Sequence, residues 1–135
     1  MKNKEITVSG KRKRAVATAT IKEGTGKVTI NKKSYKQLTF YRRLSVEEPL
    51  RIAEETLKET NYDISVNVKG GGKEGQSEAS RLAIARAIVA FTKSQPLRKA
   101  YASYDKGLLV ADVRRKEAYK PGDSKARRKR QKSYR

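Results

Sequence analysis

The sequence predicts an α+β domain, a sheet with helices on one face, followed by an extended basic tail. Three observations carry this. Strict period-two alternation marks AVATATIKE and YDISVNVKG as strands with one buried face. Apolar residues at helical spacing mark two long segments as helices. The last residues, ending SKARRKRQKSYR, have no apolar period and seven Lys or Arg among twelve residues. Such a segment repels itself and offers little to bury, so it is expected to order only against something strongly negative.

Taken in order, EITVSG reads as a short strand ended by Gly10 and the basic run KRKR. AVATATIKE sets Val16, Thr18 and Thr20 on one face and Ala17, Ala19 and Ile21 on the other. EGTG is a turn signal and KVTIN resumes in phase, so these two strands are expected to form a hairpin. In SVEEPLRIAEETLKETN, Ser45 and Glu48 fit a capping box, and Pro49 fits best near a helix start. Val46, Leu50, Ala53 and Leu57 give that helix its apolar stripe. After YDISVNVKG, the segment GGGKEGQ breaks the strand, and Ser77 or Ser80 is expected to cap a long alanine-rich helix. A shorter basic helix, LRKAYASYDK, follows Pro96 and stops at Gly107. LLVAD is a last apolar patch. The expected organisation is therefore one globular unit, residues 1–113, and a tail, residues 114–135.

The chain of 135 residues carries 34 Lys plus Arg against 14 Asp plus Glu, a formal charge of +20. Residues 114–135 hold eleven basic and two acidic residues, so +9 of that charge lies in the tail. Nucleic acid is the partner this balance favours. A membrane surface is set aside because the tail offers only Ala126 and Tyr134 opposite its charges. Cys and His are both absent, which removes disulfides, thiolate metal sites and the commonest general base. No cofactor, metal or small-molecule substrate is expected. No apolar run approaches the ~18–20 residues of a membrane span and no signal peptide opens the chain, so a cytoplasmic protein is expected.

The most enzyme-like feature is GGGKEGQS. It has the Gly70 and Gly75 spacing and the Ser77 of a phosphate-binding loop, but Gln76 stands where the lysine must be. Nucleotide hydrolysis is set aside. Glycines ahead of a helix still expose backbone N–H groups that bind any phosphate, so Gly70, Gly71, Gly72 and Lys73 remain candidates for an RNA backbone. A tight turn needing positive φ explains the same glycines and is compatible with that role. Lys11, Arg12, Lys13 and Arg14 read as a polyanion contact, four adjacent cations with no acid nearby in the sequence. Arg114, Arg115 and Lys116 read the same way. Tyr35, Tyr41, Tyr101, Tyr104 and Tyr119 offer rings for base stacking, although rim packing is the commoner use of tyrosine. The acid pairs Glu47/Glu48 and Glu54/Glu55 support helix pairing, not catalysis.

Several segments together resemble the family of universal small-subunit ribosomal protein number nine, in its archaeal form. They are SGKRKRAVATATIKEGTGKVTIN, VKGGGKEGQSEASRLAIARAIV, and LLVADVRRKE leading to KPG and KARRKRQKSYR. The resemblance covers nearly the whole chain. It implies a four-stranded sheet with helices against it, built round a left-handed β-α-β crossover, the fold shared with domain two of ribosomal protein S five. It also implies a structural, non-enzymatic protein of the ribosome in the cytoplasm. The globular part would bind small-subunit ribosomal RNA in the head beside neighbouring head proteins, and the tail would reach the anticodon stem-loop of peptidyl-site tRNA. Carried onto this chain, the tRNA contacts are Lys129, Arg130, Lys132, Tyr134 and Arg135. The ribosomal RNA contacts are the segments at 11–14, 70–73 and 114–116, with Lys125, Arg127 and Arg128 of the tail. The same fold occurs in the protein part of ribonuclease P, so an RNA-processing subunit is the alternative.

Overall fold

The computed structural model describes residues 4–122, 125–129 and 132–134. Strand β1 (Glu5–Arg12) pairs antiparallel with β2 (Ala15–Glu23), from Glu5 opposite Lys22 to Arg12 opposite Ala15. The turn is Lys13–Arg14, with Lys13 at φ 53°. β1 therefore runs through Gly10 instead of ending there, and Lys11 and Arg12 belong to the strand.

The expected hairpin of β2 with the next strand does not form. β3 (Val28–Ile30) lies on the far side of β5 (Tyr62–Lys69), in the order β1-β2-β5-β3-β4. β5 pairs antiparallel with β2 and parallel with β3. Asp63, which alternation places on the solvent side of β5, makes this possible. Its Oδ1 accepts N–H bonds from Thr25, Gly26 and Lys27 at 2.9, 3.0 and 2.9 Å, holding the loop across the end of β5. These donors hold the Asp63 carboxyl below its usual range. The fifth strand, β4 (Lys33–Ser34), pairs with β3, so the sheet has five strands where four were expected.

Helix α1 (Phe40–Leu57) starts well before Ser45 and contains Pro49 in its interior. The Ser45 capping box does not form, and Thr39 occupies the cap position. Local cap signals lose here to tertiary packing: Val46, Pro49 and Ala53 are buried, and α1 packs on α2 and α3. Helix α2 (Lys73–Thr92) likewise begins at Lys73 with Gly72 as its cap, not at Ser77 or Ser80. Those two hydroxyls instead donate to the carbonyls of Lys73 and Gln76 one turn back. Helix α3 (Gln95–Tyr104) is capped by Ser94, whose Oγ accepts the Leu97 N–H. A 3-10 turn, Lys106–Leu108, then buries Leu108. Among the described residues no helix is long and apolar enough to cross a membrane.

Small residues set the distance between layers. Ala15, Ala17 and Ala19 of β2 and Ala79, Ala83 and Ala87 of α2 are fully buried, and Gly10 of β1 is buried among them. Larger side chains, Ile21, Ile64, Ile84, Ile88 and Leu97, fill the rest. Tyr101, offered by the sequence as a stacking ring, is instead fully buried, and its Oη donates to the Pro49 carbonyl at 2.7 Å. Burial raises its pKa. Tyr101→Phe removes this bond between α3 and α1 and is expected to cost about 1 kcal/mol in urea unfolding. An unchanged midpoint would contradict the bond.

Among the described residues no helix covers the other face of the sheet. Cross-strand register sorts its side chains into rows. Thr7, Thr20, Ser65 and Thr29 form one row, and Ser9, Thr18 and Asn67 the next. Lys11, Val16 and Lys69 close one end, while Glu5, Lys22 and Asp63 close the other.

Candidate nucleic-acid interface

Two of the basic segments found separately in the sequence meet at one end of the sheet. A Cβ on Gly70 would lie 2.7 Å from the Arg14 carbonyl oxygen, and one on Gly71 would lie 2.9 Å from the Ala15 nitrogen. Both glycines have positive φ, 77° and 66°. The turn reading of GGGKEGQ is thus satisfied: the loop must lean on the β1–β2 turn, and only glycine allows it. Gln76, the residue that spoils the nucleotide-loop pattern, closes the loop by donating from Nε2 to the Gly70 carbonyl at 3.1 Å.

This contact places Lys13 and Arg14 beside the N-terminus of α2. Lys13, Arg14 and Lys73 are exposed. The α2 N-terminus has no side-chain cap, so its first N–H groups and the positive end of its dipole face outward beside these cations. Glu74 in its first turn is engaged by Arg42 of α1 at 2.9 Å. The arrangement sets N–H groups without a side-chain cap and exposed cations on one ridge, a geometry suited to phosphate.

Arg12 departs from the expectation for its segment. Two acids approach it in space, Glu78 of α2 at 2.6 Å and Asp112 at 3.4 Å, and its side chain is only 14% exposed. It serves as an internal tie between β1, α2 and the start of the tail. Asp112 is held by arginines. Besides Arg12, it accepts from the Arg114 backbone N–H at 3.0 Å and from Arg114 Nη2 at 2.8 Å. These bonds hold its carboxyl far below the usual range. Arg115 donates from Nη1 to the Asp112 carbonyl at 2.9 Å. Arg114 is thus both exposed and paired, while Lys116 lies over the Tyr119 ring, 4.7 Å from its centroid.

Arg86 completes the tie. Its Nε donates to the Leu109 carbonyl at 2.9 Å and its Nη1 to the Ser9 carbonyl at 3.2 Å, stapling LLVAD against the edge of β1. No sequence signal could have found it, because both acceptors are backbone atoms remote in the chain.

Beyond this root the described tail residues have no helix or strand. Arg127 pairs with Glu117 at 2.9 Å, and the Arg128 N–H bonds the Lys125 carbonyl at 3.2 Å. Lys129, Lys132 and Tyr134 are exposed. Arg130 and Arg135, the remaining candidate tRNA contacts, lie outside the described residues.

Comparison with known proteins places this geometry in context. The family described as ribosomal protein S9/S16 matches residues 10–135. A small ribosomal subunit protein uS9 of Methanococcus maripaludis strain C7 is 45% identical, over 98% of this chain and 99% of its own length. The uS9 proteins of Methanococcus vannielii and Thermoplasma volcanium are 43% and 45% identical, over 98% and 96% of this chain.

Proposed function

The chain belongs to the ribosomal protein S9/S16 family, and we propose that it holds small-subunit ribosomal RNA with its globular part and reaches peptidyl-site tRNA with its tail. As a member it is a structural constituent of the small ribosomal subunit, with ribosomal RNA and ribosomal proteins as partners. The finer assignment is to the head of the subunit, in the cytoplasm, with no catalysis. The family's left-handed crossover is carried over with it, to the β3–α1–β5 connection whose strands pair parallel. The nuclease-subunit alternative gains no support, since the relatives above all carry the name of a small-subunit protein.

The observation that carries the RNA reading is the junction of the β1–β2 turn with the glycine loop at the start of α2. It gathers Lys11, Lys13, Arg14 and Lys73 around backbone donors on one ridge. Phosphates set the affinity of such a surface, and the counterions they release make it depend on salt. The division at residue 113 is supported by the tie at Asp112, which fixes where residues 114–135 leave the body. From there the tail's lysines and arginines grip closely spaced phosphates without reading bases, so the tRNA contact does not depend on which tRNA is present.

The ridge is tested by binding a small-subunit ribosomal RNA transcript over a range of salt. Replacing Lys13, Arg14 and Lys73 together with alanine is expected to flatten the plot of log K against log salt by roughly 2–3, or roughly 0.7–0.9 per phosphate contact. A variant that keeps the wild-type slope would place the RNA elsewhere.

A further inference from the structure

We propose that the helix-free face of the sheet is a second part of the RNA interface, one that lies in the shallow minor groove of an A-form helix. There it bonds ribose 2′-hydroxyls and phosphates through side-chain hydroxyls and amides. The inference rests on the RNA-binding reading above and extends it to a surface of a different chemistry.

The two central rows of this face carry only hydroxyl and amide side chains, one in register across four strands and the other across three. Ser9, Ser65 and Asn67 are exposed, and Thr18 and Thr20 half-buried. The apolar residue on the face is Val16, at 40% exposure in the end row. A protein partner would want aromatic or aliphatic anchors at the centre of its contact, and the centre here has none. An RNA minor groove wants what is present. It is wide and flat enough for a sheet, and its lining of 2′-hydroxyls both donates and accepts, as Ser and Thr hydroxyls do. The deep, narrow major groove would exclude a flat sheet.

Charge and position point the same way. The row of Lys11, Val16 and Lys69 borders the β1–β2 turn and Gly70, so this face runs into the phosphate-binding ridge without a break. Of the two acids at the opposite end, Asp63 already accepts three backbone N–H bonds and sits beside Lys22 in register. An RNA helix whose phosphates meet the ridge would present its minor groove to the hydroxyl rows.

The test uses the full chain and two competitors of one sequence, an RNA duplex and a DNA duplex, against a fluorescent small-subunit ribosomal RNA transcript. The variant is Thr18→Val with Ser65→Ala and Asn67→Val, which keeps side-chain bulk and strand preference and whose folding is checked by its melting curve. Wild type should be displaced better by RNA than by DNA. The variant should bind the transcript about tenfold more weakly, as expected for the loss of a few hydrogen bonds of ordinary strength, with its salt slope unchanged and its preference for RNA over DNA lost. Lys11→Ala with Lys69→Ala should instead lower the slope by roughly 0.7–0.9 per lysine. If the triple variant binds within twofold of wild type and still prefers RNA, the face is merely solvated and the inference fails, while the ridge variants above continue to test RNA binding itself. Failure is equally shown if the triple variant binds RNA normally but a neighbouring protein leaves the assembled subunit.

Discussion

Gly10→Val is expected to abolish cooperative folding. The backbone of β1 touches that of α2 at this point, and a Cβ on residue 10 would sit 2.6 Å from the Ala79 carbonyl oxygen and 2.7 Å from the Ala83 nitrogen. Both are main-chain atoms in the middle of a 20-residue helix, so no side-chain rotation relieves the clash. The layers must part, and every alanine-lined contact between β2 and α2 loses its packing with them. Overpacking in a tight core costs typically 1–3 kcal/mol, and contact with two rigid backbone groups puts this case above that range, at about 4 kcal/mol or more. A domain of this size has roughly 5–15 kcal/mol in hand, and this small alanine-rich core belongs near the lower figure. Thermal unfolding followed by circular dichroism checks it. A sharp transition within a few degrees of wild type would mean that the two layers do not approach as described.

Arg12→Met is expected to destabilise the protein by about 2 kcal/mol and to free the root of the tail. Methionine keeps most of the stem's packing and removes the charge, leaving Glu78 and Asp112 facing each other without their shared cation. Breaking a fully buried pair costs roughly 3–5 kcal/mol. Here Glu78 is 53% and Asp112 34% exposed, so water screens both and the smaller figure applies. Arg114 still holds Asp112, so the loss should concentrate on the link to α2. Limited proteolysis separates this from plain destabilisation. Cleavage at 110–116 should quicken well before global unfolding, and Glu78→Gln should reproduce part of the effect. If Arg12→Met leaves stability and cleavage unchanged, Arg12 belongs with the exposed cations, as its sequence neighbours suggest.

Arg12 also shows where sequence reading stops. In KRKR it looks like its neighbours, because a local window sees no acid within reach. Its partners stand at 78 and 112 and meet it only when α2 and the tail root pack against β1. Strand order was illegible for the same reason. Alternation located β2 and β5 well, since side-chain period is a local property. That β5 inserts between β2 and β3 depends on Asp63 gathering three backbone donors from a loop more than thirty residues upstream. The helix starts misled through the absence of a local signal. α1 begins at Phe40 and α2 at Lys73 without a side-chain cap bond, so the serines downstream offered the stronger pattern and lost to tertiary packing. By contrast, Gly70 and Gly71 were legible from sequence, because glycine answers a backbone need whatever the rest of the chain does.

The separation of a ribosomal anchor from a tRNA-reaching tail is tested most directly by sedimenting small subunits that contain either the full chain or one lacking Lys129–Arg135. Both chains are predicted to travel with the small subunit, and only the truncated one to lower peptidyl-site tRNA occupancy, for every tRNA alike. Equal occupancy with both chains would contradict the role given to the tail, and a full-length chain that stays off the subunit would contradict the account at its base.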